Sequence, residues 1–121
     1  MGHIEQAINL QNVSGHSCRM WGYPGLGLLD RHGHALPGYA DFDTSVAPHR
    51  VVLRPHRWAH ATIRWSDVPV GSQTSCPVSR WLLVTPPDTF SSRRVRAAID
   101  SCGDGRIEVR PIQPGAVAPV S

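Results

Sequence analysis

Between Trp58 and Trp65 apolar and polar side chains alternate without a break, with Ala59, Ala61, Ile63 and Trp65 on one side and Trp58, His60, Thr62 and Arg64 on the other. Successive side chains of a strand point to opposite faces, so this run predicts a strand with one face in a core and the other in water. A weaker alternation opens the chain. Ile4, Ile8 and Leu10 oppose Glu5, Asn9 and Gln11 in a half-buried strand that the turn-forming Asn12-Val13-Ser14-Gly15 cluster ends. Cys18 to Asp30 then gathers much of the bulky apolar mass: Cys18 and Met20 share one strand face, Arg19 and Trp21 the other. Gly22-Tyr23-Pro24-Gly25 reverses the chain, and Leu26, Leu28 and Leu29 resume an extended segment. This stretch is the expected organising unit of the fold.

Further along, Val51-Val52-Leu53 forms a short β-branched strand. Trp81-Leu82-Leu83-Val84 is a continuous apolar run of strand length, which predicts a central strand buried on both sides. Arg93 to Ala98 is a weaker strand candidate that also passes for a helical turn, and Ile107 and Val109 alternate with Glu108 and Arg110 in a last strand. Asp30-Arg31-His32-Gly33-His34 reads as a hairpin turn in which Gly33 supplies a positive φ. Gly38 to Pro48 reads as an irregular crossing anchored by Tyr39 and Phe42, Ser66 to Pro77 as a loop, and Cys102-Gly103-Asp104-Gly105 as a tight turn. Pro111 to Ser121 lacks periodicity, and residues 116–121 are expected to fray.

About eight short strands at spacings of roughly 8–12 residues are the pattern of an all-β, antiparallel, immunoglobulin-like β-sandwich, here one domain over residues 1–115. Composition agrees. A chain of 121 residues holds one core, and eleven glycines with eleven prolines disfavour helices.

Charge narrows the function. The formal +3 comes from arginine alone, since there is no lysine, and the arginines are scattered apart from Arg93, Arg94 and Arg96. That is the usage of a GC-rich genome and not the concentrated basic run of a nucleic-acid binder. No apolar run reaches the roughly 20 residues that span a bilayer, and the first residues lack the basic and apolar regions of a signal peptide. Three cysteines allow one intramolecular disulfide and leave one thiol. Either the compartment is reducing or a fourth cysteine lies upstream of a shortened N-terminus.

Candidate chemistry is sparse. His32 with His34 and His56 with His60 are the close histidine pairs, yet zinc wants three or four converging ligands, and neither pair sits in a zinc-binding spacing. A copper site through histidine, Cys18 and Met20 is the one metal arrangement worth testing. No Gly-x-Ser-x-Gly elbow occurs, and Asp41 and Asp43 read as a polar loop edge, not an acid–base pair. No catalytic residue, metal ligand or cofactor is therefore assigned. Tyr23 reads as a ring packed on a sheet end in preference to a contact residue, whereas Trp58, on the solvent side of its strand, either covers a loop or belongs to an interaction surface.

Taken in order, Asn12-Val13-Ser14-Gly15, Cys18, Gly22-Tyr23-Pro24-Gly25, Leu28-Leu29-Asp30, Ala59-His60-Ala61-Thr62-Ile63-Arg64-Trp65, Cys76-Pro77, Val84-Thr85-Pro86-Pro87 and Cys102-Gly103 resemble the actinobacterial family called domain of unknown function 4232. The resemblance spans about Gly2 to Gly115. It implies an exported or lipid-anchored cell-envelope β-sandwich without assigned activity, and so carries no catalytic residue. Cys76 and Cys102 resemble the family's paired cysteines; a Cys18–Cys102 bond and three reduced thiols are the alternatives. Members usually have a signal or lipoprotein segment and an earlier strand with another cysteine. Their absence here suggests that Met1 begins a shortened chain or a truncated relative. The expected function is a non-catalytic, extracytoplasmic module that binds an envelope protein or glycan through loops and one sheet face, with no nucleic acid and no integral membrane segment. A copper-type metal-handling envelope protein is the alternative, and a small hydrolase the lesser one.

Overall fold

The computed structural model describes residues 2–87 and 92–117, which contain ten strands and no helix. They are β1 (His3–Gln11), β2 (Cys18–Trp21), β3 (Gly25–Leu29), β4 (Tyr39–Phe42), β5 (Arg50–Leu53), β6 (Trp58–Ser66), β7 (Trp81–Thr85), β8 (Arg93–Arg96), β9 (Arg106–Val109) and β10 (Gln113–Pro114). The large sheet runs β1-β6-β9-β4, with β10 also paired to β6. A β2–β5 pair and a β3-β7-β8 sheet form the rest. Every pairing is antiparallel except β4 with β9.

The fold is a β-sandwich, because the inward faces of these sheets share one core. Ile8, Ala59, Ala61, Ile63, Trp65, Ile107 and Val109 of the large sheet meet Leu28, Val51, Leu53, Leu82 and Val84 of the two smaller ones. β6 follows its predicted alternation residue by residue, with Ala59, Ala61, Ile63 and Trp65 buried. It is paired on both edges, to β1 along its whole length and to β9 and β10 on the other side.

Four expectations change. Gly22–Gly25 does not close a hairpin: β2 pairs with β5 and β3 with β7, so the segment carries the chain from one sheet to another. Pro24 is fully buried and the Gly22 carbonyl accepts the Ile112 N–H, which pins the crossing. Trp81–Val84 is central in its sheet but covered mainly on one face. Leu82 and Val84 are buried while Trp81 and Leu83 are half-buried, with the Arg94 guanidinium 5.4 Å from the Trp81 ring centroid. The Gly38–Pro48 crossing contains β4, and its expected anchors Tyr39 and Phe42 are 47% and 52% exposed. Pairing with β9, more than sixty residues on, makes this strand, and no local pattern announces it.

The fourth change is at the C-terminal end, where Pro111 and Ile112 are fully buried. Ile63 faces Val109 and His60 faces Gln113, so three residues, Arg110 to Ile112, stand opposite two, Ala61 and Thr62. This is a β-bulge. It breaks the in–out alternation so that consecutive side chains enter the core, and it tolerates Pro111, which has no N–H to donate to a ladder. Val117 is held further on by reciprocal hydrogen bonds with the Asn9 side chain. The remainder of the segment expected to fray, 118–121, lies outside the described residues.

Asn12 closes the end of the sandwich where β6 begins. Its buried amide donates to the His16 and Leu53 carbonyls, both at 2.8 Å, while its Oδ1 accepts from the Ser14 N–H and hydroxyl. Its backbone N–H donates to the Arg57 carbonyl and its carbonyl accepts the His56 N–H. One side chain thus joins the β1 end, the following loop and the β5–β6 turn, with every polar group satisfied. Asn12→Ala leaves the buried Leu53 carbonyl without its partner and unties the loop to His16, and should cost about 2–4 kcal/mol of unfolding free energy. Ser14→Ala, at an exposed partner, should cost less than half as much in the same urea titration.

Candidate functional site

Cys76 and Cys102 are bonded, with Cα atoms 5.1 Å apart. The bond fastens the long Asp67–Arg80 connection to the segment entering β9, where the Cys102 N–H also donates to the Ser66 carbonyl at the end of β6. Nearby, the buried Trp65 indole donates to Asp100 at 3.0 Å, and the Ser79 hydroxyl donates to the Ala97 carbonyl and accepts the Ile99 N–H. Non-strand backbone is held in the core by these partners. Cys18 is free and half-buried, and with Met20 it packs inward against the core.

The histidine pairs do not assemble a site. His32 and His34 lie on the β3 hairpin tip with ring centroids 6.2 Å apart, and His60 Nδ1 is 2.8 Å from the Gly115 carbonyl oxygen. His56 occupies the turn before β6 at φ 65°. Among the described residues no three of His, Cys, Asp and Glu converge. An open cleft of about 450 Å³ beside the disulfide brings His3 and Ser66 together as cross-strand partners. No hydrogen bond joins their side chains among the described residues, and the Ser66 hydroxyl oxygen instead accepts the Val68 N–H.

The outer face of the large sheet carries the ion pairs found among the described residues, although its Arg64 has no carboxylate within ion-pair distance there. Glu5, Arg64, Glu108 and Asp41 follow one another across β1, β6, β9 and β4. Arg106 bridges Asp41 and Glu108, and Arg110 reaches Asp43 at 3.4 Å and Glu5 at 3.7 Å. Asp41 and Asp43 are therefore ion-pair partners on and beside β4. Bonds from the Ser45 hydroxyl and N–H, reinforced by Arg110, hold the Asp43 carboxyl below the usual range. Tyr23 stacks flat on Phe42 at 4.2 Å and donates to the Asp43 carbonyl, so its ring packs on a sheet end. Trp58 is 42% exposed on the outer face of β6.

Among the described residues, the β2–β5 outer face has no ion pair and holds the most exposed apolar ring. Trp21 is 58% exposed and Val52 57%. The register places Arg50 directly opposite Trp21 and Arg19 opposite Val52. Arg54 continues the outward alternation just past β5 and is also exposed. Among the described residues none of these three arginines has a carboxylate within ion-pair distance, and none lies over the Trp21 ring. The sequence pattern put Trp21 on the same strand face as Arg19 without singling it out or assigning that face to solvent; the signal was an indole sharing its face with an arginine.

An all-β sandwich closed by one disulfide, with an aromatic and cationic outer face and no converging metal ligands among the described residues, defines a small non-helical module. The chain belongs to the family described as Domain of unknown function (DUF4232), whose match covers residues 1–113. No curated protein and no solved structure matches it.

Two outcomes follow from this geometry. The disulfide closes a loop across a sequence separation of 26, which the chain-entropy relation values at about 3.5 kcal/mol. Reduction and alkylation should lower the unfolding free energy by that order in a denaturant titration, while the thiol of Cys18 reacts only on unfolding. In acid, Asp30 is the second test. The His34 N–H, with help from that of His32, holds its carboxyl below the usual range. A lowered folded value means that the ionised carboxylate supports the turns above the ordinary carboxylate pKa, and that this support is lost as the pH falls below about 4. Amide exchange at His34 and Ser45, corrected for its intrinsic pH dependence, should accelerate there before the β6 amides do.

Proposed function

We propose that this protein is a non-catalytic, extracytoplasmic binding module that engages a cell-envelope component, protein or glycan, through the β2–β5 outer face. The observation that carries the reading is Trp21, a large ring left 58% exposed on a regular strand, beside Val52 and arginines that have no carboxylate partner among the described residues. Exposed aromatics of this kind are what binding surfaces use as anchors. The Cys76–Cys102 bond supports an oxidising compartment, since such bonds persist mainly outside the cytosol. No helix of the described residues is long and apolar enough to cross a membrane. The metal-handling alternative gains no support, because Cys18 and Met20 face the core.

The test is co-sedimentation with washed envelope fragments of the source organism. The folded wild-type protein should pellet with the fragments, and Trp21→Ala, with an unchanged thermal transition, should reduce the bound fraction at least tenfold. Undiminished binding by Trp21→Ala would move the site elsewhere, and Trp58→Ala on the other outer face is the matched control.

A further inference from the structure

We infer that the β2–β5 face binds an anionic glycan, with Trp21 stacking on a sugar ring and Arg19, Arg50 and Arg54 holding its carboxylate or phosphate groups. The inference rests on the binding-module reading and names the ligand class for that same face.

The charge distribution is the first reason. Between Glu5 and Asp30, and again between Asp43 and Asp67, the chain has no acidic residue, and these two intervals contain both strands of the face with their flanking loops. The Asp43 carboxylate, near Tyr23 at the end of the face, is already taken by Ser45 and Arg110. The ion pairs among the described residues lie instead on and beside the outer face of the large sheet. Arginines free of carboxylates present planar forks suited to carboxylate and phosphate oxygens.

Geometry is the second reason. Arg50 is the direct cross-strand neighbour of Trp21, Arg19 the next outward residue on its own strand and Val52 lies on the diagonal, so two cationic forks flank the indole at the roughly 5–8 Å spacings of neighbouring strand positions, with Arg54 two outward positions beyond Arg50. That matches one pyranose ring with its charged substituents. The apolar part, Trp21 and Val52, is too small for the apolar centre of a stable protein interface, which needs about 800 Å² from each partner. In the second arginine-rich region, on and beside β8, the described ring, Trp81, is half-buried and covered by Arg94. The disulfide favours a location outside the cytosol.

Affinity is measured by titration calorimetry with an oligomannuronate and a phosphorylated mannan oligosaccharide as probes. A neutral dextran oligosaccharide, polyglutamate and single-stranded DNA serve as comparisons. At least one anionic sugar should bind, more weakly as salt rises, and at least tenfold tighter than all three comparisons. Trp21→Ala should lose roughly tenfold, and Arg19→Ser combined with Arg50→Ser should lose at least as much with a shallower salt dependence. Arg31→Ser combined with Arg96→Ser removes the same charge from exposed sites elsewhere and should change affinity less than twofold. The arginine pairs keep the test decisive if Trp21→Ala does not fold.

Equal loss in the two arginine pairs would reduce the effect to net charge and overturn the inference, as would full affinity in folded Trp21→Ala. Polyglutamate or DNA bound as tightly as the sugars would overturn it in favour of an acidic protein or a nucleic acid. No binding of either anionic sugar, with Trp21-dependent retention on envelope fragments intact, would remove the glycan and leave the binding module standing.

Discussion

The structure depends on β6 being hydrogen-bonded along both edges while one of its faces is buried. Its N–H and C=O groups are taken by β1 on one side and by β9 and β10 on the other, so the strand can lie at the centre of the protein without unpaired backbone. Its inward residues then set the thickness of the core. Ala59 and Ala61 leave room, and the bulge opposite Ala61 fills it with Pro111 and Ile112, whereas Ile63 and Trp65 are large and meet the regular part of β9. Small residues on one strand and a doubled inward contribution from its neighbour are two halves of one packing solution.

Around that strand, the remaining chain is largely irregular and is fastened by polar contacts in place of ladders. Asn12 does this at one end of the sandwich. At the other end Ser79, the Trp65–Asp100 bond and the Cys76–Cys102 bridge hold the non-strand segment leading into β9. A sandwich of short strands has many chain ends per unit of core, and each leaves carbonyls and amides that the neighbouring strand does not satisfy. No buried side-chain nitrogen or oxygen among the described residues lacks a partner, so the irregular parts are as specified as the strands. With the frame held in this way, the outer faces are free to differ. One carries the ion pairs of the described residues, and the other leaves an indole and three arginines facing outward.

Strands whose burial alternates were legible from the chain alone. The β6 pattern, the inward Cys18 and Met20 of β2, the Gly33 hairpin and the last strand at Ile107 and Val109 all have the burial or turn geometry their spacing predicts. The antiparallel sandwich followed from their number and spacing, and the family from the ordered motifs. Legibility failed where structure is made by a distant partner. β4 exists through β9, and the β10 segment through β6, while the Gly22–Gly25 crossing looks like a hairpin because two apolar strands flank it.

For the candidate site the division is similar. That Trp21 and Arg19 share one face of one strand is a local fact, carried by two-residue periodicity. That Arg50 and Val52 stand beside them is decided by the pairing of β2 with β5 across roughly thirty residues, which no local pattern contains. The sequence by itself determined which side chains of the alternating strands β1, β6 and β9 face the core, because there that depends only on the alternation of the extended backbone. Which strands became neighbours, and therefore which outward residues form one surface, was decided only in the tertiary structure, where the bulge, the buried asparagine and the disulfide satisfy groups that no local segment can satisfy alone.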